Sequence, residues 1–234
     1  LYAAQRNGIP TLVQEQNSYA GLTNKILAKK AKKICVAYPD MDRFFPGDRI
    51  AYTGNPVRKD ILDLSGKREK AFAHFGLDPE KKTLLVLGGS LGARTLNQAV
   101  LKDMQKLDEE GYQVLWQCGK FYFKEMKSKL ADSELKSIHL HEFIREMDLA
   151  YAAADVIVSR AGALSVSELS LVGKPVIFIP SPNVAEDHQT KNAMAYVSHD
   201  AALLLKDSEA IGALEQEVTK LMKDSALSES LGKN

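Results

Sequence analysis

The sequence has few of the features that mark disulfide-bonded, membrane-spanning or nucleic-acid-binding proteins. Its two cysteines, Cys35 and Cys118, lie far apart in strand-like segments and match no metal-binding or redox spacing, so we expect two buried thiols in a reducing compartment. No apolar run reaches the roughly 18 residues of a membrane span, and no signal peptide is recognisable. The 31 basic and 30 acidic residues nearly cancel, which argues against nucleic acid as a partner. These absences favour a cytoplasmic globular protein.

Two familiar nucleotide-binding motifs are also absent. The sequence has no G-x-G-x-x-G fingerprint, and no Gly-Lys-Ser/Thr follows its glycine-rich turn as it would in a P-loop. The first absence weighs against a nicotinamide-dependent oxidoreductase, and the second excludes a P-loop.

The sequence does contain a regular alternation of apolar, strand-like segments with segments of helical period. The predicted strands lie in TLVQ, KICVAY, RIAYTG, TLLVLGG, QVLWQCG, SIHLHEF, DVIVSRAG, PVIFIP and AALLLK. The helical segment after TLLVLGG carries an apolar stripe made of Leu96, Val100, Leu101, Met104 and Leu107. This alternation predicts parallel sheets in a doubly wound α/β fold. Residues 52–70, rich in glycine, proline and charge, are the predicted hinge.

Two strand-to-helix junctions are rich in glycine and small residues. In LLVLGGSLGARTLN (84–97), a strand runs into a permissive turn that offers backbone N–H donors and the Ser90 hydroxyl, with Gly89 and Gly92 beside it. Ordinary turn chemistry explains the same residues. The junction by itself therefore leaves both an anion site and a plain turn open.

The second junction, SRAGALSVSE (159–168), follows the strand DVIV. Gly162 lets the backbone turn, and the helix then starts on small residues that leave room for a ligand. Ser165 and Glu168 have capping-box spacing, which would give Glu168 a structural role. A carboxylate one turn inside such a helix can also accept both hydrogens of a ribose diol. Two glycine junctions at one sheet edge suit a diphosphate with a sugar or nucleoside at each end.

A third polar stretch, PSPNVAEDHQTKNA (180–193), follows a strand and enters a helix near Glu186. Its donors and acceptors suit a hydroxyl-rich ligand such as a sugar, although a capped, solvated helix start has the same composition. They are Asp187, His188, Gln189 and Asn192. No second His or Cys stands at ligand spacing from His188, so we predict no metal site.

A basic cluster and the start of the chain suggest further context. Lys25, Lys29, Lys30, Lys32 and Lys33 fall on a predicted amphipathic helix, which is either a solvated face or a contact with anionic lipid. The chain begins without Met, inside what resembles the tail of a helix. We therefore expect it to be part of a longer protein.

Five segments, taken in order, closely resemble the MurG family: EQNSYAGLTNKILAK, TGNPVR, GGSLGA, SRAGALSVSE and DHQTKNA. Members of this family transfer N-acetylglucosamine (GlcNAc) from UDP-GlcNAc to lipid I, which gives lipid II for peptidoglycan. The resemblance implies a GT-B fold, in which two Rossmann-like domains face each other across a cleft. It also implies that residues 1–55 end an N-terminal acceptor domain and that residues 56–234 form the UDP-GlcNAc-binding domain.

The resemblance assigns roles in donor binding to individual residues. Arg58 and Ser90 are implied to contact the nucleotide sugar, with Arg58 near the diphosphate. The backbone of Ile144 is implied to meet the uracil, and Glu168 to hold the ribose. Helix N-terminal N–H groups for the phosphates are implied at Ala163, Leu164, Ser165, Val166 and Ser167.

The same resemblance implies that Gln189 binds the GlcNAc hydroxyls and that Asn17 lies across the cleft. Additional candidates in or beside the glycine junctions and the polar stretch are Gly89, Gly92, Gly162 and His188. No residue here is a convincing catalytic base, and the family implies one on the acceptor side.

The implied partners are the UDP-GlcNAc donor, the lipid I acceptor and the cytoplasmic surface of the bacterial inner membrane. No cofactor or metal is expected. Two alternatives stay open, a UDP-GlcNAc 2-epimerase-like isomerase and a sugar-nucleotide-binding module without catalysis.

Overall fold

The computed structural model, which describes residues 1–131 and 133–234, folds the chain around two parallel β-sheets. The strands are β1 (Leu12–Glu15), β2 (Lys33–Val36), β3 (Ile50–Tyr52), β4 (Thr83–Leu87), β5 (Gln113–Gln117), β6 (Ile138–His141), β7 (Val156–Ser159), β8 (Val176–Phe178) and β9 (Leu203–Leu204). The helices are α1 (Tyr2–Arg6), α2 (Leu22–Ala28), α3 (Arg68–Phe75), α4 (Arg94–Glu109), α5 (Phe123–Ala131), α6 (Met147–Ala153), α7 (Ala163–Val172), α8 (His188–Val197), α9 (Ala210–Lys223) and α10 (Ser225–Lys233). Each predicted strand segment overlaps one of these strands, so the predicted alternation is confirmed.

The larger sheet has the strand order of a doubly wound nucleotide-binding fold. Its order is β6-β5-β4-β7-β8-β9, and each neighbouring pair is parallel. The direction of winding reverses between β4 and β7, so this is the topological switch point. The smaller sheet has the order β1-β2-β3 and is also parallel.

Helices cover both faces of the larger sheet, and this explains its apolar strands. Every residue of β4 and of β5 is buried. One apolar core lies between the sheet and α3, α6, α7 and α8, and the other lies between the sheet and α4, α5, α9 and α10. Most of the predicted stripe of α4 faces the second core. Leu96, Val100 and Leu107 are fully buried, Leu101 packs against the core, and Met104 is half-buried.

Two local predictions are wrong. Cys118 is buried, which raises the pKa of its thiol to about 11, but Cys35 is only half-buried because it lies on the less protected side of β2. The basic cluster does not form a helix face. Helix α2 ends at Ala28, so of the five lysines only Lys25 lies on it, and the others occupy the turn to β2 and its first residue.

The predicted hinge, residues 52–70, holds the end of β3, a 3-10 turn at Lys59–Ile61 and the start of α3. A side chain here also links the loop after β1 to helix α7. The Asn55 amide donates to the Gln16 carbonyl (2.9 Å) and to the Ser167 hydroxyl (3.0 Å). The domain boundary after residue 55 stays a prediction.

Candidate functional site

Both glycine junctions lie at the switch point of the larger sheet. One follows β4, the other follows β7, and these two strands are neighbours. Gly89, Ser90 and Ser165 line a cleft there that has two connected halves. In open α/β sheets this crevice is where ligands bind. The expectation that the two junctions meet at one edge is confirmed.

The first junction combines a functional surface with a packing constraint. Gly89 has φ of 82° with open space around it, and the neighbouring Ser90 is exposed to the cleft. Gly92 has φ of 94°, and a Cβ there would lie 2.4 Å from the Cys118 carbonyl oxygen and 2.5 Å from the Tyr122 ring. Gly92 is therefore required by the close approach of the turn to the 118–122 segment, whatever the cleft binds.

At the second junction, Gly162 is the N-cap of α7, and within residues 1–131 and 133–234 no side-chain hydrogen bond caps the helix. The capping-box explanation of Glu168 is therefore wrong, because Ser165 lies inside the helix rather than at its cap. The N–H groups of Ala163, Leu164 and Ser165 come before the first hydrogen bond of α7 and are free for an anion.

Two of the five residues implied to offer N–H groups to the phosphates, Val166 and Ser167, already use those groups in α7. Val166 is fully buried, and its N–H donates to the Gly162 carbonyl (2.9 Å). Ser167 lies one residue further along α7, where N–H groups bond to the carbonyls four residues before them. Its hydroxyl donates to Ala163 O (3.0 Å) and accepts from Asn55. The donors are thus confined to the first turn.

The first half of the cleft, about 380 Å³, is called here the nucleoside half, and Glu168 is one of the residues that line it. Its carboxylate accepts from the Tyr151 hydroxyl (3.0 Å) and from Arg58 through Nε (3.2 Å) and Nη2 (3.4 Å). Burial raises the pKa of Tyr151, and the adjacent Glu168 charge adds to the shift. Tyr151 therefore stays a neutral donor that orients the carboxylate.

The role of Arg58 near the diphosphate stays a prediction. Its guanidinium pairs with Glu168 in the nucleoside half, and it does not line the other half of the cleft. A carboxylate has roughly four acceptor positions, and Arg58 and Tyr151 occupy three of them. Two hydrogen bonds from a ribose diol therefore require Arg58 to leave at least one of these acceptor positions. Since the Arg58 side chain is 41% exposed, this movement is inexpensive.

The backbone of Ile144 has one group left for a ligand. Its N–H donates to the Gln117 side chain (2.8 Å), while the side chain itself is buried. The carbonyl oxygen is the group that can accept from the N3–H of a uracil. Phe143, 53% exposed, lies beside it and adds an apolar surface for a base.

The second half of the cleft, about 470 Å³, is called here the sugar half, and it contains Gln189 and Asn183. The Gln189 Oε1 accepts from the Ser181 N–H (2.9 Å), which orients its amide and leaves the NH₂ group for ligand oxygens. His188 does not line either half. Its Nδ1 bonds to the Ala185 carbonyl (2.8 Å), so the predicted sugar contact at His188 has no support.

Asn17 lies after β1, across from the larger sheet, and its side chain is already engaged. Its amide donates to the buried Glu15 carboxylate (3.2 Å), and its Oδ1 accepts from Asn192 on α8 (3.0 Å). Asn192 also accepts from the Ser18 N–H (3.0 Å). These bonds hold Asn17 against α8.

Sequence reasoning missed Arg160, which lines both halves of the cleft. Its position directly after β7 could have indicated it, because that is the ligand-binding end of the strand. Its partner Asp207 lies 47 residues along the chain, and no local pattern marks that pairing.

Within 1–131 and 133–234, no three His, Cys, Asp or Glu side chains come together in a metal-binding arrangement. In the same part of the chain, none of the helices has the length and apolar character to cross a bilayer.

Comparison with known sequences gives a consistent result. Residues 83–233 match the family model described as Glycosyltransferase family 28 C-terminal domain. A Cytophaga hutchinsonii protein named UDP-N-acetylglucosamine–N-acetylmuramyl-(pentapeptide) pyrophosphoryl-undecaprenol N-acetylglucosamine transferase is 56% identical over 234 residues, which is 100% of this chain and 62% of that protein. A Flavobacterium psychrophilum protein of the same name is 54% identical over 227 residues, 97% of this chain and 61% of that protein. The chain thus spans about three-fifths of these relatives.

Solved structures agree on the fold. MurG from Acinetobacter baumannii superposes with a TM-score of 0.74 at 32% identity, over 99% of this chain and 63% of that one. A UDP-GlcNAc 2-epimerase from Neisseria meningitidis, bound to UDP-GlcNAc, gives 0.69 at 15% identity over 99% of this chain and 66% of that one. The second likeness shows the fold alone. The predicted Rossmann-like, GT-B type of architecture is confirmed.

Proposed function

The chain belongs to glycosyltransferase family 28, and we propose that it is the donor-binding part of an enzyme that transfers GlcNAc from UDP-GlcNAc to lipid I. The whole enzyme is then an inverting N-acetylglucosaminyltransferase of peptidoglycan synthesis that produces lipid II. The observation that carries the proposal is the cleft at the switch point, with a carboxylate at one end, an amide at the other and free helix N–H groups between them.

The arrangement fits the three parts of the donor. In the nucleoside half, the Ile144 carbonyl and Glu168 suit uracil and ribose, which both present N–H or O–H donors. The N–H groups of residues 163–165 suit the diphosphate, which carries negative charge. In the sugar half, the amide of Gln189 suits the GlcNAc hydroxyls. The ligand therefore lies across the ends of β4 and β7.

Displacement of UDP from the sugar by an acceptor hydroxyl needs a base and stabilisation of the departing diphosphate. The first turn of α7 supplies the second, because its fixed N–H dipoles face the charge that develops on the leaving group. We assign no base among these residues and place it on the acceptor side.

The partners of the whole protein follow from the same proposal. We propose lipid I as the acceptor and the cytoplasmic face of the bacterial inner membrane as the place of reaction. The lysines between α2 and β2 are exposed and can meet anionic lipid. Lys25 is engaged instead, with its ammonium 4.2 Å from the centre of the Tyr19 ring.

The experiment that tests donor binding is calorimetric titration of the chain with UDP-GlcNAc, UDP and NAD, with melting curves in parallel. A ligand of the native state at 100 times its Kd stabilises it by about 2.7 kcal/mol. We expect UDP and UDP-GlcNAc to bind and NAD to have no effect. Failure of both uridine nucleotides to bind contradicts the proposal.

A UDP-GlcNAc 2-epimerase is the alternative, because such enzymes share the fold. It is separated by incubating labelled UDP-GlcNAc without acceptor. An epimerase converts the donor to its 2-epimer, whereas a transferase leaves it intact.

A further inference from the structure

We propose that Arg160 is the diphosphate-binding cation of this cleft and that Asp207 is the positioning residue that aims it. This inference rests on the proposed function, since it concerns how the same cleft holds the phosphates of a uridine nucleotide. It starts from the finding that Arg58 is paired with Glu168 at the nucleoside end. While that pair is in place, another side chain has to supply the positive charge at the centre of the cleft.

Arg160 occupies the position that a diphosphate needs. It lies between the two glycine junctions and is the cation common to both halves of the cleft, which it shares with Gly89, Ser90 and Ser165. A diphosphate that joins a nucleoside in one half to a sugar in the other must cross this point. The free N–H groups at the start of α7 face the same place.

The guanidinium is held by one edge only. Its Nη1 donates to the carbonyls of Ile179 (2.9 Å) and Pro180 (3.2 Å) and to the Asp207 carboxylate (2.5 Å). In the part of the chain that the structure describes, Nε and Nη2 have no protein hydrogen bond. The planar fork of Arg thus keeps the donors of its other edge for an anion, in the geometry that phosphate oxygens prefer.

Asp207 is itself fixed, which makes it suitable for positioning. Its Oδ2 accepts from the Thr95 hydroxyl on α4 (2.8 Å), while its Oδ1 accepts from Arg160. The two side chains of the pair are only 14% and 17% exposed, so solvent competes weakly for the contact. The bonds run from the first turn of α4 through Asp207 to Arg160, and so tie the cation to the helix that follows the first glycine junction.

The test compares the binding of UDP with that of UMP, because a cation beside the diphosphate should strengthen UDP binding more than UMP binding. In calorimetric titrations, Arg160→Ala is expected to weaken UDP binding about 10- to 100-fold, the scale of a lost charge-assisted contact, and UMP binding much less. Arg160→Lys keeps the charge but not the fork, and should recover only part of the loss.

The positioning role is tested at Asp207. Asp207→Ala should reduce the preference for UDP over UMP roughly 3- to 10-fold, and Asp207→Asn, which keeps an acceptor for Arg160, should reduce it less. The matched control is Glu209→Gln, in the 3-10 turn Asp207–Glu209, where the carboxylate is 55% exposed and pairs with Lys206. It should leave both affinities unchanged.

A purely structural role for Asp207 predicts a lower melting temperature with an unchanged preference for UDP, and that result overturns the inference. Tighter UDP binding in Asp207→Asn also overturns it, because the carboxylate would then act mainly by repelling the phosphates. If the unaltered chain binds no UDP, the proposed function fails together with the inference. If the chain binds UDP and Arg160→Ala keeps the full preference, the inference alone fails.

Discussion

The role of Glu168 can be tested most directly by replacing it with Gln, which keeps its size and removes its charge. The variant keeps an oxygen that accepts from the buried Tyr151 hydroxyl. It loses the ion pair with Arg58, whose side chain is 41% exposed, and such pairs contribute about 0–1 kcal/mol. The free energy of unfolding should therefore fall by no more than about 1 kcal/mol.

The expected effect on UDP binding is larger. A carboxylate can accept hydrogen bonds from both ribose hydroxyls, whereas the amide NH₂ that replaces one oxygen cannot accept. Loss of one charge-assisted hydrogen bond corresponds to about 1.5–3 kcal/mol, or roughly 10- to 100-fold in Kd. Calorimetric titration with UDP measures this change, and a parallel melt measures stability.

A second experiment changes the ligand as well as the protein. If Glu168 holds the ribose diol, removing the 2′-hydroxyl in deoxy-UDP should cost affinity in the unaltered chain and much less in Glu168→Gln, since the two changes remove the same bond. The control variant is Glu125→Gln, an exposed carboxylate of α5 that pairs with Lys129 (2.8 Å). Unchanged UDP affinity in Glu168→Gln would refute the ribose assignment, whatever happens to the melting temperature.

Three further outcomes are expected. UDP binding should persist in excess EDTA, because the N–H groups of α7 and the Arg160 side chain already provide positive potential for the phosphates. A strict requirement for Mg²⁺ or Mn²⁺ in the titration would contradict this expectation. The chain alone should transfer no GlcNAc to a soluble lipid I analogue, because it spans 62% of the Cytophaga hutchinsonii relative and in-line positioning of an acceptor lowers the reaction barrier by about 7–11 kcal/mol. A transfer rate near that of a full-length enzyme would show that we have misplaced the catalytic groups. Stability should fall as pH drops below 6.5, because burial lowers the pKa of His139 and of His141 and the unfolded chain therefore binds more protons in that range. Between pH 7 and pH 5 the melting temperature of His139→Gln should fall less steeply than that of the unaltered chain, and identical profiles would reject the explanation.

Much of the fold could be predicted from the sequence because the relevant signals are local. The apolar residues of β4 and β5 follow one another directly, and the period of α4 is complete within one helix. The two glycine junctions could be placed at the same sheet edge from topology, since all parallel strands end at the same edge. From the same junctions the sequence predicts a ligand with charge in the middle and hydroxyls at its ends, and this stays a prediction.

Predictions from the local sequence pattern were wrong where several structures fit the same residues. Ser165 and Glu168 have the spacing of a capping box, yet the helix starts after Gly162 and leaves Ser165 inside it. The lysines near α2 have helical spacing, yet the helix ends at Ala28. In each case a helix boundary decided the outcome, and boundaries depend on backbone bonds and packing that a periodic pattern does not contain.

By itself, the sequence determined which strands form, where the chain turns and which residue types face the ligand edge, because each depends on neighbours a few positions away. Only the tertiary structure decided which charged groups meet. Arg58 and Glu168 lie 110 residues apart, Arg160 and Asp207 lie 47 apart, and Asn17 and Asn192 lie 175 apart. Any of these side chains could have paired with several others of suitable charge or hydrogen-bonding type. The choice was made when the sheets and helices packed, because packing alone sets which atoms come within hydrogen-bond distance of each other and which stay without a protein partner.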